Sequence, residues 1–120
     1  MMREAAFSRM VQGWLRQQGA WVVKYHASAY TPKGVPDLIA CYQGEFIGIE
    51  LKVKSELSEW QLLQGEYITD AGGIWLCVTP STYRTVLFNV LGRIRHDREL
   101  IDDAQLDMGP DERVRLRLLY

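Results

Sequence analysis

Residues 34–53 read Gly34-Val35-Pro36-Asp37-Leu38-Ile39-Ala40-Cys41-Tyr42-Gln43-Gly44-Glu45-Phe46-Ile47-Gly48-Ile49-Glu50-Leu51-Lys52-Val53. Two strand-like apolar runs flank the turn signal Gln43-Gly44, so the stretch predicts a β-hairpin. With a two-residue turn, Tyr42 faces Glu45, and counting back sets Asp37 opposite Glu50. Side chains alternate along a strand, so Glu50 and Lys52 leave the same face. Ile47, Ile49, Leu51 and Val53 take the alternate positions and can fill a core. Asp37, Glu50 and Lys52 are thereby expected to form one cluster at the open end of the hairpin.

Working outward, residues 3–18 carry Phe7, Met10, Val11, Trp14 and Leu15 at helical spacing, and Gly19 ends that helix. Residues 21–25 read as a strand. Residues 27–36 form a loop with two prolines and a glycine. Strands follow at 38–42 and 45–53. A second helix spans about 58–71, with Ser58 as N-cap and Gln61 completing a capping box. Gly72-Gly73 stops it, and 74–78 is a fourth strand. Ser81 is expected to cap a third helix carrying Tyr83, Val86, Leu87, Val90 and Leu91, ended by Gly92. Residues 98–106 have helical character. Val114, Leu116 and Leu118 alternate with Arg113, Arg115 and Arg117, as in a strand with one arginine face. The order α-β-β-β-α-β-α predicts an α/β fold, a mixed four-stranded sheet flanked by helices. It makes a single domain over 1–120, with a motif-bearing core at 3–92 and a C-terminal extension at 93–120.

The 120 residues suit one domain, and 48% hydrophobic with 24% charged excludes a disordered or membrane class. No apolar run approaches the ~20 residues of a membrane span, and the N-terminus lacks signal-peptide architecture. An intracellular protein is expected, in the host cytoplasm if phage-encoded. Cys41 and Cys77 are too few and too far apart for a zinc motif. Each is expected to be a buried free thiol. The net charge of −1 counts mildly against nucleic-acid binding, but all the lysines (Lys24, Lys33, Lys52, Lys54) lie in one stretch around the hairpin.

Two carboxylates facing each other repel, and one pKa rises. A divalent cation removes the repulsion, and hard oxygen ligands suit magnesium. Such a centre can activate water and orient a phosphate, and Lys52 can offset charge in the transition state. A surface ion-pair ladder is the competing reading. Glu4 shares the line of Phe7 and Val11 and so points toward the buried stripe, where a carboxylate is costly without a partner. It could equally complement the helix dipole. His26 could carry a proton, or be merely exposed. Ser28 and Lys33, in the loop before Asp37, could contact phosphate or simply be solvated.

The segments Gly34-Val35-Pro36-Asp37-Leu38-Ile39, Glu50-Leu51-Lys52 and Leu57-Ser58-Glu59-Trp60-Gln61 together resemble the PD-(D/E)xK nuclease superfamily. Within it they most resemble the VRR-NUC (virus-type replication-repair nuclease) domain, over residues 4 to about 79. The resemblance implies a restriction-endonuclease-like core. It implies Asp37, Glu50 and the Leu51 carbonyl as metal ligands and Lys52 as the catalytic lysine. It adds Gln61 and Glu4 to the catalytic region, the latter also matching a glutamate of related archaeal junction resolvases. Expected function is then a Mg2+-dependent DNA endonuclease, with Mn2+ as substitute, selective for branched DNA such as Holliday junctions. Two active sites on one junction point to a homodimer. The alternatives are a restriction-type or general repair nuclease on linear DNA, a non-catalytic DNA-binding module of the same fold, and a structural oligomerisation domain.

Overall fold

A computed structural model of the chain describes residues 2–54 and 56–105. The elements are α1 (Glu4–Gln17), β1 (Trp21–Lys24), β2 (Leu38–Tyr42), β3 (Glu45–Leu51), α2 (Glu59–Asp70), β4 (Ile74–Val78) and α3 (Tyr83–Gln105). The sheet order is β1-β2-β3-β4. β1, β2 and β3 are antiparallel neighbours, and β4 joins β3 in parallel after the α2 crossover. This is the mixed sheet and element order that the sequence predicts. The arginine-faced strand proposed at 113–117 lies outside the described residues.

The hairpin register is as counted. Tyr42 pairs with Glu45 and Leu38 with Ile49, so Asp37 is the next step out, toward Glu50. Gln43 (φ 47) and Gly44 (φ 84) both take positive φ. That is the combination a two-residue type I′ turn needs, and its twist matches the flanking strands.

Alternation divides the sheet into two unlike faces. Val22, Leu38, Ala40, Tyr42, Ile47, Ile49, Leu51 and Val78 are buried in one cluster with Phe7, Val11 and Leu15 of α1 and Tyr83, Leu87, Leu91 and Ile94 of α3. Edge-to-face packing of Tyr83 on Phe7 (5.8 Å) and Trp14 (6.5 Å) joins the two helices, and Arg95 donates to the Tyr42 hydroxyl at 3.1 Å. The opposite face carries Gly48, Glu50, Trp75 and Cys77, and α2 lies over it. Two small residues let it approach. A Cβ on Gly48 would stand 2.8 Å from Pro36 and 3.2 Å from Ile68, and one on Gly65 would stand 2.4 Å from the Trp75 ring.

Four expectations change. α3 does not end at Gly92 but runs on to Gln105, absorbing the helix expected from residue 98. A helical glycine costs only about 1 kcal/mol, and the buried stripe of Leu87 and Leu91 continues to Ile94 beyond it. Ser81 is not the cap. The turn into α3 is built by Thr79, whose carbonyl accepts from Thr82 N and Tyr83 N and whose N–H donates to Thr82 Oγ1 at 2.9 Å. β3 ends at Leu51 rather than Val53. Cys41 is exposed, because its side of β1–β2, with Trp21 (59% exposed), extends beyond the cover of α2. Among the described residues no helix is long and apolar enough to cross a membrane.

Candidate nuclease centre

Asp37, the last residue before β2, and Glu50, the penultimate residue of β3, meet where the hairpin opens. Asp37 Oδ2 accepts the Leu51 N–H at 2.8 Å, and the Asp37 carbonyl accepts from Tyr25 N at 2.9 Å. One residue thus fastens β1 and β3 to its own strand and keeps its carboxylate beside Glu50. Glu50 is fully buried. Gln61 Nε2 donates to its Oε1 at 3.3 Å and Trp75 Nε1 to its Oε2 at 3.2 Å. Burial pushes the Glu50 carboxyl above its ordinary range, and the Asp37 charge adds to the rise. The Trp75 indole N–H, the Asp37 backbone N–H and the Lys52 ammonium pull against it.

Lys52 follows β3 directly. Its N–H donates to the Val78 carbonyl at 3.0 Å, continuing the ladder toward β4 by one bond. Its half-buried side chain carries its charge to the neighbourhood of Glu50.

Gln61 does two things at once. Its Oε1 accepts from Ser58 N at 2.9 Å, Ser58 Oγ accepts from Gln61 N at 3.2 Å, and both halves of the capping box are made. With the oxygen spent on the cap, the amide nitrogen is left for Glu50. The helix that crosses the sheet therefore begins on the acid cluster. Its seating depends on Gly34 (φ 82), where a Cβ would fall 2.3 Å from the Trp60 carbonyl and 2.7 Å from Gln61 N. The segments Gly34–Asp37 and Ser58–Gln61, separate in the sequence, are one packed unit.

The remaining expected site residues lie farther out. Glu4 is exposed in the first turn of α1 and not buried as its line suggested. Phe7 and Val11 on that line are fully covered, but the line runs out to solvent at the helix end. Lys33 is exposed, its Nζ 5.5 Å from the centroid of the Trp60 ring at the edge of the same unit. Ser28 is exposed and engaged in its own loop, its Oγ accepting from Tyr30 N at 3.2 Å and its N–H donating to Thr31 Oγ1 at 2.8 Å. His26 is exposed.

Two neighbours of the centre were not read from the sequence. Trp75 is one, and Cys77 is the other. Cys77 pairs with Glu50 in the parallel register, is half-buried rather than buried, and has its thiol pushed up by burial and then by the Glu50 charge. A half-buried indole N–H usually seeks a partner, which is a signal for Trp75. Its partner, however, lies 25 residues away in sequence and is met only through the parallel β3–β4 register. For the described residues, no three His, Cys, Asp or Glu side chains converge as a ready metal cage. The donor set is instead two carboxylates with adjacent backbone. A groove of about 480 Å³ lies away from this centre, at the far end of β3 beside Glu45, Ile74 and Arg93.

In structure comparisons the chain is similar to a solved VRR_NUC domain, with TM-score 0.59 and 16% identity, covering 72% of this chain and 96% of that one. At that identity the likeness establishes the fold, a restriction-endonuclease-like core. It is also similar to the structure of Archaeoglobus fulgidus Hjc, a Holliday junction resolvase from an archaeal hyperthermophile, with TM-score 0.49 and 21% identity, covering 62% of this chain and 67% of that one. No curated protein matches in sequence. The family model "Archaeal holliday junction resolvase (hjc)" matches residues 2–67, which take in α1, the hairpin with Asp37, Glu50 and Lys52, and the start of α2 with Gln61. The chain belongs to the archaeal Holliday junction resolvase family, nucleases of branched DNA.

Proposed function

We propose that this chain cleaves branched DNA with a divalent metal held by Asp37, Glu50 and the Leu51 backbone carbonyl, and with Lys52 as its catalytic lysine. The observation that carries the reading is the state of Glu50. A fully buried carboxylate sits beside a second carboxylate, and the ion pair found among the described residues is elsewhere, between Arg98 and Asp102. Buried charge is costly unless paired. A small hard cation is the partner that two such acids fit, magnesium first and manganese as its substitute.

Bound there, the ion supplies activation of water and stabilisation of charge on the phosphate. The protein does the rest by position. Asp37 is fixed by the Leu51 N–H, and Glu50 by Gln61 and Trp75, so neither acid needs to reorganise when the substrate arrives. Lys52 brings its charge near Glu50, and in this role its ammonium holds the attacking water or meets negative charge developing on the phosphoryl oxygens. Lys33 and Ser28 border the loop that leads to Asp37 and supply backbone-phosphate contacts, which fix the DNA without reading its sequence. Glu4 at the start of α1 is a further candidate for the catalytic region. Cleaving both strands of a four-way junction calls for two such centres, and a homodimer provides them by symmetry.

The test is cleavage of a four-way junction, a linear duplex and a single strand, each with and without Mg2+. Metal-dependent cutting of the junction in preference to the others is expected. Lys52→Ala should slow it by about 10²–10³-fold, the scale for removing one transition-state donor. No metal-dependent cutting of any of the three substrates overturns the proposal.

A further inference from the structure

One oxygen of Glu50 is held by a residue outside all three motif segments. Trp75 stands on β4, paired across the parallel register with Gly48, and its indole N–H reaches Glu50 Oε2 at 3.2 Å. We propose that Trp75 is a positioning residue for this metal-holding carboxylate, and that Gly65 on α2 sets its ring. The inference rests on the metal-centre reading above.

A glutamate side chain ends in a broad, weakly restricted torsion. Held by a single donor, its carboxylate can still turn. Here each oxygen has its own donor, and the donors come from different elements: Gln61 from α2 on Oε1 and Trp75 from β4 on Oε2. Turning the carboxylate breaks at least one of the two bonds. Both donors are themselves fixed. The Gln61 oxygen is tied into the capping box. The indole is rigid and offers a donor only, and α2 lies flat against it at Gly65. A Cβ there would stand 2.4, 2.6 and 2.7 Å from Cδ2, Cε2 and Cε3 of Trp75. Glycine is among the poorest helix formers, yet Gly65 occupies the middle of α2 and is its buried residue. The ring it accommodates explains why it is there. Groups that orient metal-holding side chains in this way commonly govern metal affinity by about ten- to a hundredfold.

Two substitutions separate the parts. Trp75→Phe keeps a ring against Gly65 and removes the N–H. Gly65→Ala keeps the N–H and displaces the ring. Calorimetric titration of DNA-free protein with Mn2+ should show each binding about ten- to a hundredfold more weakly than wild type. The metal concentration for half-maximal junction cleavage should rise in parallel, with most of the maximal rate recovered at saturating metal. Trp14→Phe, whose ring packs on Tyr83 against the other face, should alter melting temperature and leave metal affinity unchanged. A metal-free readout stands beside these: the assigned indole ¹H–¹⁵N resonance of Trp75 should move in Glu50→Gln, and that of Trp14 should not. Unchanged Mn2+ affinity in a folded Trp75→Phe protein overturns the proposal. So does a Trp75 indole resonance indifferent to Glu50→Gln, which decides the matter even if Trp75→Phe does not fold. Wild-type protein that binds Mn2+ and shows the resonance shift but cuts no DNA would sink the nuclease reading and leave this one standing.

Discussion

The Gln61 side chain ties Glu50 to the first turn of α2, its Nε2 donating to Glu50 Oε1 at 3.3 Å while its Oε1 accepts the Ser58 N–H at 2.9 Å. The two bonds use opposite ends of one amide, so cap and acid cluster can be separated by mutation. Ser58→Ala removes the hydroxyl half of the box and should cost about 1 kcal/mol of stability. Cleavage well below the melting temperature should stay near wild type. Gln61→Ala removes both bonds and should lose stability and cleavage together. Thermal melts paired with initial cleavage rates check this, and equal rates for the two variants would break the link between Gln61 and Glu50.

Glu50 also predicts a pH dependence. Its carboxyl is raised above the ordinary 4.5 by burial first and by Asp37 next. A carboxyl raised in the folded state binds its proton more tightly there than in the unfolded chain. Metal-free protein should therefore lose stability as pH climbs from about the ordinary value through the raised one. Glu50→Gln, which carries no charge to bury, should flatten that limb, and Mg2+ should restore stability on its alkaline side by binding only the folded form. Urea midpoints measured across pH for wild type and Glu50→Gln, with and without Mg2+, give the comparison. A wild-type limb that rises over that window contradicts the assignment.

These dependences show which parts of the site a sequence can carry. The facing of Asp37 and Glu50 was legible because a two-residue turn fixes register locally, and Gln43-Gly44 takes the φ values that turn requires. Ser58 and Gln61 were legible for the same reason, as a box closed within one helical turn. Trp75 was not, because its bond to Glu50 depends on a parallel register set by a crossover. Cys41 was misread as buried because alternation says which face a side chain takes and not whether a helix covers it. Gly92 was misread as a stop because the glycine was weighed without Ile94, which is buried two residues beyond it. Glu4 shows the limit of a helical stripe at its own end.

Two glycines should respond oppositely to alanine. Gly34 has φ 82, and a Cβ there would lie 2.3 Å from backbone atoms of Trp60. A left-handed conformation alone costs a non-glycine residue about 1–2 kcal/mol, and backbone cannot rotate away as a side chain can. Gly34→Ala should therefore destabilise by more than that and displace α2 from the acids, reducing cleavage. Gly92 lies inside α3, where a Cβ would meet only the end of the Arg95 side chain at 3.6 Å. Gly92→Ala should stabilise by about 0.5–1 kcal/mol and leave cleavage unchanged. Denaturant midpoints distinguish the two, and destabilisation by Gly92→Ala would contradict a continuous α3.

Lys33 tests whether DNA crosses the edge formed by the Gly34 and Trp60 unit. Its ammonium lies 5.5 Å from the Trp60 ring centroid and is exposed, so it is free to meet a phosphate without disturbing the fold. A lysine that neutralises one phosphate releases about one condensed counterion on binding. Lys33→Ala should weaken junction binding uniformly across sequences and lower the slope of log K against log salt by about 1. Maximal cleavage at saturating DNA should stay near wild type, because Lys33 is remote from the reacting phosphate in this reading. Binding isotherms at several salt concentrations, in Ca2+ to suppress cutting, supply the slope. An unchanged slope would place the DNA path away from this edge, and a loss confined to the maximal rate would move Lys33 into the chemistry instead.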